Sequence, residues 1–381
     1  MPKRFVLAFF LALAVPDAAF ALQPVCESGN CPPQAEPDPA DGKPATSQDA
    51  IAVAARFNSG ISHFRRGEFD EAIADFDSVV QAEPQTAAGY HARGRAWAAK
   101  KDADRALADY NQAVELQPNF AAALLARANL YFIRGDAART FDDSNAAIAA
   151  DPRLAEAYNT RGLIWQMRAD SDRALADFDM ALSLNPRLVY ALVNRGSLLL
   201  ARNLVERALV DIQAALQLQP GNTRALVDRS AIFGLRRQYA AAQADIDAVL
   251  AVEPRNVDAI ISRGRVHRGQ GEMAGAIADF SFVLGIEPRN KRALYERATI
   301  LRLQRDYARA LSDYNAALAI DPRYGYAYWG RAKIWWSRGE YSRTVADFDQ
   351  AIAADPDIAE DVRLDRADFL RLHPGADKQA R

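Results

Sequence analysis

The stretch AEAYNTRGLIWQMRADSDRALADFDMALSLNPRL, residues 155–188, decides the fold, because its pattern returns without a gap along most of the chain. Tyr158, Gly162 and Trp165 stand at steps of four and three residues, and Ala174, Phe178 and Ala181 repeat those steps further on. Such spacing puts each trio on one face of a helix. Pro186 ends the second helix, since it can neither donate a backbone bond nor fit the interior of one. The stretch therefore reads as two antiparallel helices joined by a short turn.

Pro84, Pro118, Pro152, Pro186, Pro220, Pro254, Pro288, Pro322 and Pro356 are spaced by 34 residues. Nine units follow: 53–86, 87–120, 121–154, 155–188, 189–222, 223–256, 257–290, 291–324 and 325–358. Counting each proline as position 32, position 8 is always small, from Gly60 to Ala332; position 20 is Ala or Thr, and position 27 is Ala or Val. Beside them stand large residues: Tyr90, Tyr158 and Tyr328 at position 4, Trp97, Trp165 and Trp335 at position 11, and Phe76, Tyr110, Phe178 and Phe348 at position 24. Small residues let two helices approach, and the aromatic rings fill the space alongside. One hairpin cannot bury both of its faces, so each must stack on its neighbours.

This pattern resembles the tetratricopeptide repeat, whose signature of large residue, Gly, aromatic, Ala, aromatic and Pro is matched over 306 of 381 residues. The resemblance implies an all-α fold, an α-solenoid wound as a right-handed superhelix of nine helix-turn-helix repeats. Residues 359–372 then form a C-terminal capping helix, with Val362, Phe369 and Leu370 toward repeat 9, and 373–381 a loose tail. Departures from the pattern are Thr140 and Ser144 in repeat 3, and Asn203 and Arg237 at turns where the family favours Gly.

Composition agrees with a folded binding protein. Half the chain is apolar, which is too much for disorder. Lys and Arg number 47 against 49 Asp and Glu, interleaved throughout, so the excess of clustered cation that nucleic acid needs is missing.

Residues 1–21 read as a secretory signal peptide: Lys3 and Arg4, an apolar run from Phe5 to Val15, then Ala19 and Ala21 flanking the cleavage point. A retained anchor needs roughly 20 apolar residues, and Pro16 with Asp17 stops this run, so no stable membrane insertion is expected. Residues 22–50 carry six prolines and read as a flexible tether in an exported, periplasmic or secreted protein. Cys26 and Cys31 both lie there, and an oxidising compartment favours a disulfide between them; a metal or redox pair is the sharper alternative, with no histidine nearby to support it.

No chemistry of catalysis stands out. Of four histidines, His63 and His267 occupy position 11, a packing slot. H-E-x-x-H, G-x-S-x-G, C-x-x-C and glycine-rich phosphate loops are all absent. The chain is expected to be no enzyme, with no cofactor and no metal.

Position 23 is Asp in all nine units and position 7 is Arg in eight, Ser59 being the exception. A charge in a packing stripe should be paired. Pairing each Asp with the Arg of the following unit, Asp75 with Arg93 and Asp109 with Arg127, would explain why the first unit needs no Arg.

Positions 2, 5, 9, 12 and 13 vary freely, and in the family these line the concave face that grips peptides or helices. Read as partner-binding, the stripe through repeats 3 to 6 offers Leu125, Ile133, Leu163, Met167, Val193, Leu200, Val227 and Leu235, with Asn129 and Asn159 for backbone bonds. Repeats 7 to 9 offer Arg265, Arg268, Arg292, Tyr295, Arg302, Tyr326, Trp329, Lys333 and Trp336, residue types that dominate binding energy. The family's carboxylate clamp needs a Lys that position 5 lacks throughout, so recognition of a chaperone tail has no support. The partner expected is another protein or peptide. The alternatives are a cell-wall glycan stacked on Trp329, Trp336 and Tyr326, and a stripe that simply closes against neighbouring helices.

Overall fold

Position 8 against position 24 shapes every hairpin. A Cβ placed on Gly162 would lie 2.7 Å from Cε1 of Phe178, and one on Gly94 would lie 2.7 Å from Cε1 of Tyr110. Neither backbone could come so close to the aromatic ring with a side chain in between. Repeat 3 replaces the ring with hydroxyls, both fully buried: Thr140 donates to the carbonyl of Asp136 at 2.7 Å, and Ser144 to that of Thr140 at 2.6 Å. The helix itself satisfies them, which is why this departure from the pattern is tolerated.

The computed structural model describes residues 47–376. The signal segment, Cys26, Cys31 and nearly all of the tether lie outside the described residues, as do 377–381. The described residues form nineteen α-helices and no strand, in two compact units that divide between Arg195 and Gly196. The first unit holds α1 (Ser47–Arg66), α2 (Phe69–Ala82), α3 (Ala87–Ala99), α4 (Ala103–Leu116), α5 (Ala121–Ile133), α6 (Ala137–Ala150), α7 (Ala155–Met167) and α8 (Ser171–Leu184); the division falls inside α9 (Val189–Ala201). The second holds α10 (Val205–Leu218), α11 (Thr223–Leu235), α12 (Tyr239–Val252), α13 (Val257–Gln270), α14 (Met273–Ile286), α15 (Lys291–Leu303), α16 (Tyr307–Ile320), α17 (Gly325–Ser337), α18 (Tyr341–Ala354) and α19 (Ala359–Leu372). Within each unit helices pack on their chain neighbours, and first helices also touch the next first helix, as α5 touches α7 and α13 touches α15. Residues 47–50, read from sequence as tether, are the opening turn of α1.

Turns follow one recipe. A residue at position 15 takes a left-handed backbone in all nine repeats: Gly in four, but Lys101, Ala169, Asn203, Arg237 and Arg305 in the others. The departure from Gly is thus wider than Asn203 and Arg237 alone, and the side chains there accept a strained φ near 60°. Asp102, Asp136, Asp170 and Asp306 then cap the second helices by accepting from the backbone three residues on.

The arginine row pairs differently from the sequence expectation. Arg93 grips Asp109 of its own repeat through Nε and Nη2 at 2.9 and 2.7 Å, and Arg127 grips Asp143 at 2.7 and 2.8 Å. The same fork recurs from Arg161 to Asp177, Arg229 to Asp245, Arg263 to Asp279, Arg297 to Asp313 and Arg331 to Asp347. The proposed pairs Asp75–Arg93 and Asp109–Arg127 are therefore corrected. Positions 7 and 23 face each other across one hairpin, and the repeat before is reached instead by the third nitrogen. Nη1 of Arg93 donates to Asp77 at 2.7 Å, of Arg127 to Asn111 at 3.1 Å, of Arg161 to Asn145 at 2.9 Å, and of Arg331 to Asn315 at 2.6 Å. Asp75 takes Arg56 of α1, at 3.2 Å. Trp335 adds a second donor to Asp347 at 2.9 Å, and His267 stands 3.0 Å from Asp279, so position 11 serves the row as well as the core.

Two outcomes follow for stability. Asp143→Ala strands a partly buried guanidinium and should cost about 2–3 kcal/mol, somewhat less than a fully buried pair, whereas Asn111→Ala should cost under about 1 kcal/mol; chemical denaturation of each variant measures the contrast. His91 is buried with its Nε2 unpartnered, and burial together with the charge of Arg95 pushes its pKa down to about 3. Folding holds it neutral, so stability is full above the unfolded value near about 6.5 and falls as the pH drops toward 3. His91→Phe should abolish that loss, worth about 2 kcal/mol at pH 5, as read from melting curves at pH 7.5 and 5.

Candidate functional site

The first-helix residues expected to line a groove separate into those consumed by packing and those that stay partly exposed. Leu125, Leu163, Val193, Leu200 and Val227, at positions 5, 9 and 12 of the first helices, are all buried. Of the apolar stripe expected in repeats 3 to 6, Met167 is 46% exposed and Ile133 37%. Asn129 and Asn159 are engaged as well: Thr160 donates to Asn129 at 3.0 Å, and Asn194 to Asn159 at 2.9 Å. The apolar groove is therefore largely closed by the protein's own side chains, and the two amides bond the next repeat.

The basic and aromatic residues stand in the second unit, on α13, α15 and α17. Glu296 on α15 is fully buried and receives Nε of Arg265 at 2.6 Å and Nη1 of Arg268. Burial raises its proton affinity, but the guanidinium charges of Arg268 and Arg265 outweigh that and hold the carboxyl below its ordinary range. Arg292 donates to Asp258 at 2.7 Å, while burial and the charge of Arg265 lower its own affinity for the proton. On α17, Lys333 pairs with Asp365 of α19 at 3.0 Å, and Trp329 donates its indole N–H to the same carboxylate at 2.7 Å. The Lys333 ammonium also lies 4.2 Å from the centre of the Trp329 ring. Trp329 is 8% exposed, so the expectation of an open stacking surface there is corrected.

Tyr295 is buried and packs its ring on those of Tyr314, Tyr324 and Tyr326, at 5.7 to 6.0 Å between centres. Arg302, Lys333, Trp336, Ser337, Gly339, Tyr341, Asp365, Asp368 and His373 line an open cleft of about 760 Å³. Its aromatic wall is braced by Phe369, 5.2 Å from the Trp336 ring centre, and by His373, 4.3 Å from that of Tyr341.

Sequence reading missed a second row of bonds on this inner side. Position 6 of one repeat meets position 9 or 5 of the repeat before, as in Thr160 with Asn129, Asp228 with Ser197, and Glu296 with Arg265. The signal was present as polar residues at position 6, which lies outside the freely varying stripe. Among the described residues no group of three or more His, Cys, Asp or Glu side chains is arranged to hold a metal, and no helix is long and apolar enough to cross a membrane.

Comparison with known proteins agrees with this geometry. The tetratricopeptide repeat model matches residues 44–88, 57–119, 168–223, 236–284, 276–325 and 295–358, more than half of the sequence. The chain belongs to the tetratricopeptide repeat family. Among solved structures it is similar to a tetratricopeptide repeat protein from Parabacteroides merdae, with 22% identity over 64% of this chain and 96% of that one, at a TM-score of 0.52. It is also similar to pilF of Pseudomonas aeruginosa, with 15% identity over 56% of this chain and 97% of that one, at a TM-score of 0.51. No curated protein matches in sequence.

Glu296 supplies the test of this packing. Glu296→Gln leaves Arg265 and Arg268 without their counter-charge and should cost about 3–5 kcal/mol at neutral pH. Because the folded carboxyl sits below its unfolded value, near about 4.3, its contribution is full above that pH and is lost as the pH falls further. The variant should therefore show a shallower acid loss than the parent, measured by thermal unfolding at pH 7 and pH 3.

Proposed function

We propose that the chain is an exported protein-binding scaffold that grips an extended segment of a partner protein along the lining of α13, α15, α17 and α19. One observation supports it above others: Arg268, Arg292, Arg302, Lys333, Tyr326 and Trp336 are gathered on one row of helices, with Arg268 held by the buried Glu296, Arg292 by Asp258 and Lys333 by Asp365. Side chains fixed in advance bind with less loss of freedom, and Arg, Tyr and Trp are the types from which binding hot spots are built. Tetratricopeptide repeat proteins are typically non-catalytic scaffolds. The glycan alternative is weaker because Trp329, its main platform, has its ring under Lys333 and its N–H on Asp365. Export rests on the sequence of residues 1–21.

A photo-crosslinking amino acid at Trp336, compared with one at Val252, which is 69% exposed on the second-helix row, tests the reading in the cells that make the protein. Protein adducts should form from Trp336 and not from Val252, on a chain whose N-terminus begins at Leu22. Equal adducts from both positions, or glycan in place of protein at Trp336, would sink it.

A further inference from the structure

Two neighbouring second helices of the second unit turn only apolar side chains outward at positions 18, 22, 26 and 30. On α12 these are Ala240, Ala244, Ala248 and Val252, on α14 Ala274, Ala278, Phe282 and Ile286, and all are exposed. Every other repeat places at least one Asp, Glu, Ser or Gln at those positions. Phe282 is 51% exposed and Ile286 39%, beside Gly285, around which there is open space. Among the charged residues of the two helices, Asp245 and Asp279 are buried in the arginine row. Asp247 is bound by Gln243 at 2.8 Å, and its charge acts on Arg263. A contiguous apolar face with a half-exposed phenyl ring marks a surface that meets another one.

The order of sizes along α14 selects that other surface. Ala274, Ala278, Phe282 and Ile286 run small, small, large, large at steps of four residues. Laid on a copy of itself in the same direction, ring would meet ring and Ala would face Ala across a gap. Reversed, Phe282 seats over the partner subunit's Ala278 and Ile286 over the partner subunit's Ala274, with the centre of the match at the middle of the helix. The same reversal on α12 sets Val252 over the partner subunit's Ala240. We propose that the chain pairs with a second copy of itself through α14, antiparallel about a two-fold axis that passes between Ala278 and Phe282, with α12 alongside. A two-fold contact asks only that one patch fit itself, which this order of sizes provides and a foreign partner would not require. Two such helices side by side measure about 20 by 20 Å, so two copies cover on the order of 800 Å², the size class of weak, reversible contacts. The pairing is independent of the scaffold reading. It uses second helices only, so the lining on the first helices stays free in both copies and partners would be held in twos.

The test is sedimentation velocity of the whole chain from about 1 to about 300 µM, where a reversible dimer with a dissociation constant of about 10–100 µM is expected. Phe282→Asp puts a charge in the seam and Ala278→Phe sets ring on ring, so each should stay monomeric to about 300 µM. Exchanging the two, Ala278→Phe together with Phe282→Ala, restores large over small and should dimerise within about threefold of the parent. Val210→Asp, on the outward side of α10, should leave the dimer unchanged. All the altered positions are exposed, and circular dichroism checks that helix content is kept. A parent that stays monomeric to about 300 µM, a dimer that survives Phe282→Asp, or a folded exchange variant that does not pair overturns the inference. Foreign protein bound at Phe282 in place of a second copy overturns it as well. Crosslinked pairs of the chain with itself, at twice its mass, count here and are kept apart from the foreign protein that tests the scaffold.

Discussion

In Arg93, Arg127, Arg161, Arg297 and Arg331 the position-7 guanidinium divides its three nitrogens between two repeats, and the register of stacked hairpins depends on that division. Nε and Nη2 lock the first helix to the second within one hairpin, as Arg127 does with Asp143; Nη1 reaches the repeat before, as Arg127 does with Asn111. Apolar contact alone would let neighbouring helices slide by a turn, since Ala and Leu faces offer little to choose between registers. A forked, directional contact allows one register only. The net stability of each pair is modest because both partners give up water, so its main effect is on uniqueness, and the apolar core does most of the holding.

The inner row of bonds extends the same logic to the lining. Glu296 gathers Arg265 and Arg268, and Asp365 gathers Lys333 and Trp329, so these side chains are fixed by partners on neighbouring helices. In the first unit the corresponding places are filled by Thr160, Asn129, Asn159 and Asn194, which satisfy one another and leave little to recruit. Charged pairs on this row therefore concentrate in the second unit, at Glu296 and Asp365.

Much of the architecture was legible in sequence because it depends on size alone. Small residues at positions 8, 20 and 27 and rings at position 24 are requirements of helix approach that any observer of spacing can read, and the nine prolines set the phase. Partnerships were less legible. Arg127 is near Asp109, Asp143 and Asn111 in any stacked model of the repeat, and only side-chain direction selects among them. The lining misled for a different reason: Leu125, Val193 and Val227 vary from repeat to repeat because each must fit the particular neighbour it is wedged against, so variation there marks packing instead of contact with a ligand.

The last helix keeps the period but changes its charges. Val362 and Phe369 are buried in α19 at positions 4 and 11, Asp365 falls where position 7 would carry Arg, and Arg366, at position 8, takes over the bond to Asp349. Asp365 takes the Lys333 ammonium and the Trp329 indole N–H of α17, so the closing helix is fastened to its neighbour by an acid at the place where the other first helices carry a guanidinium.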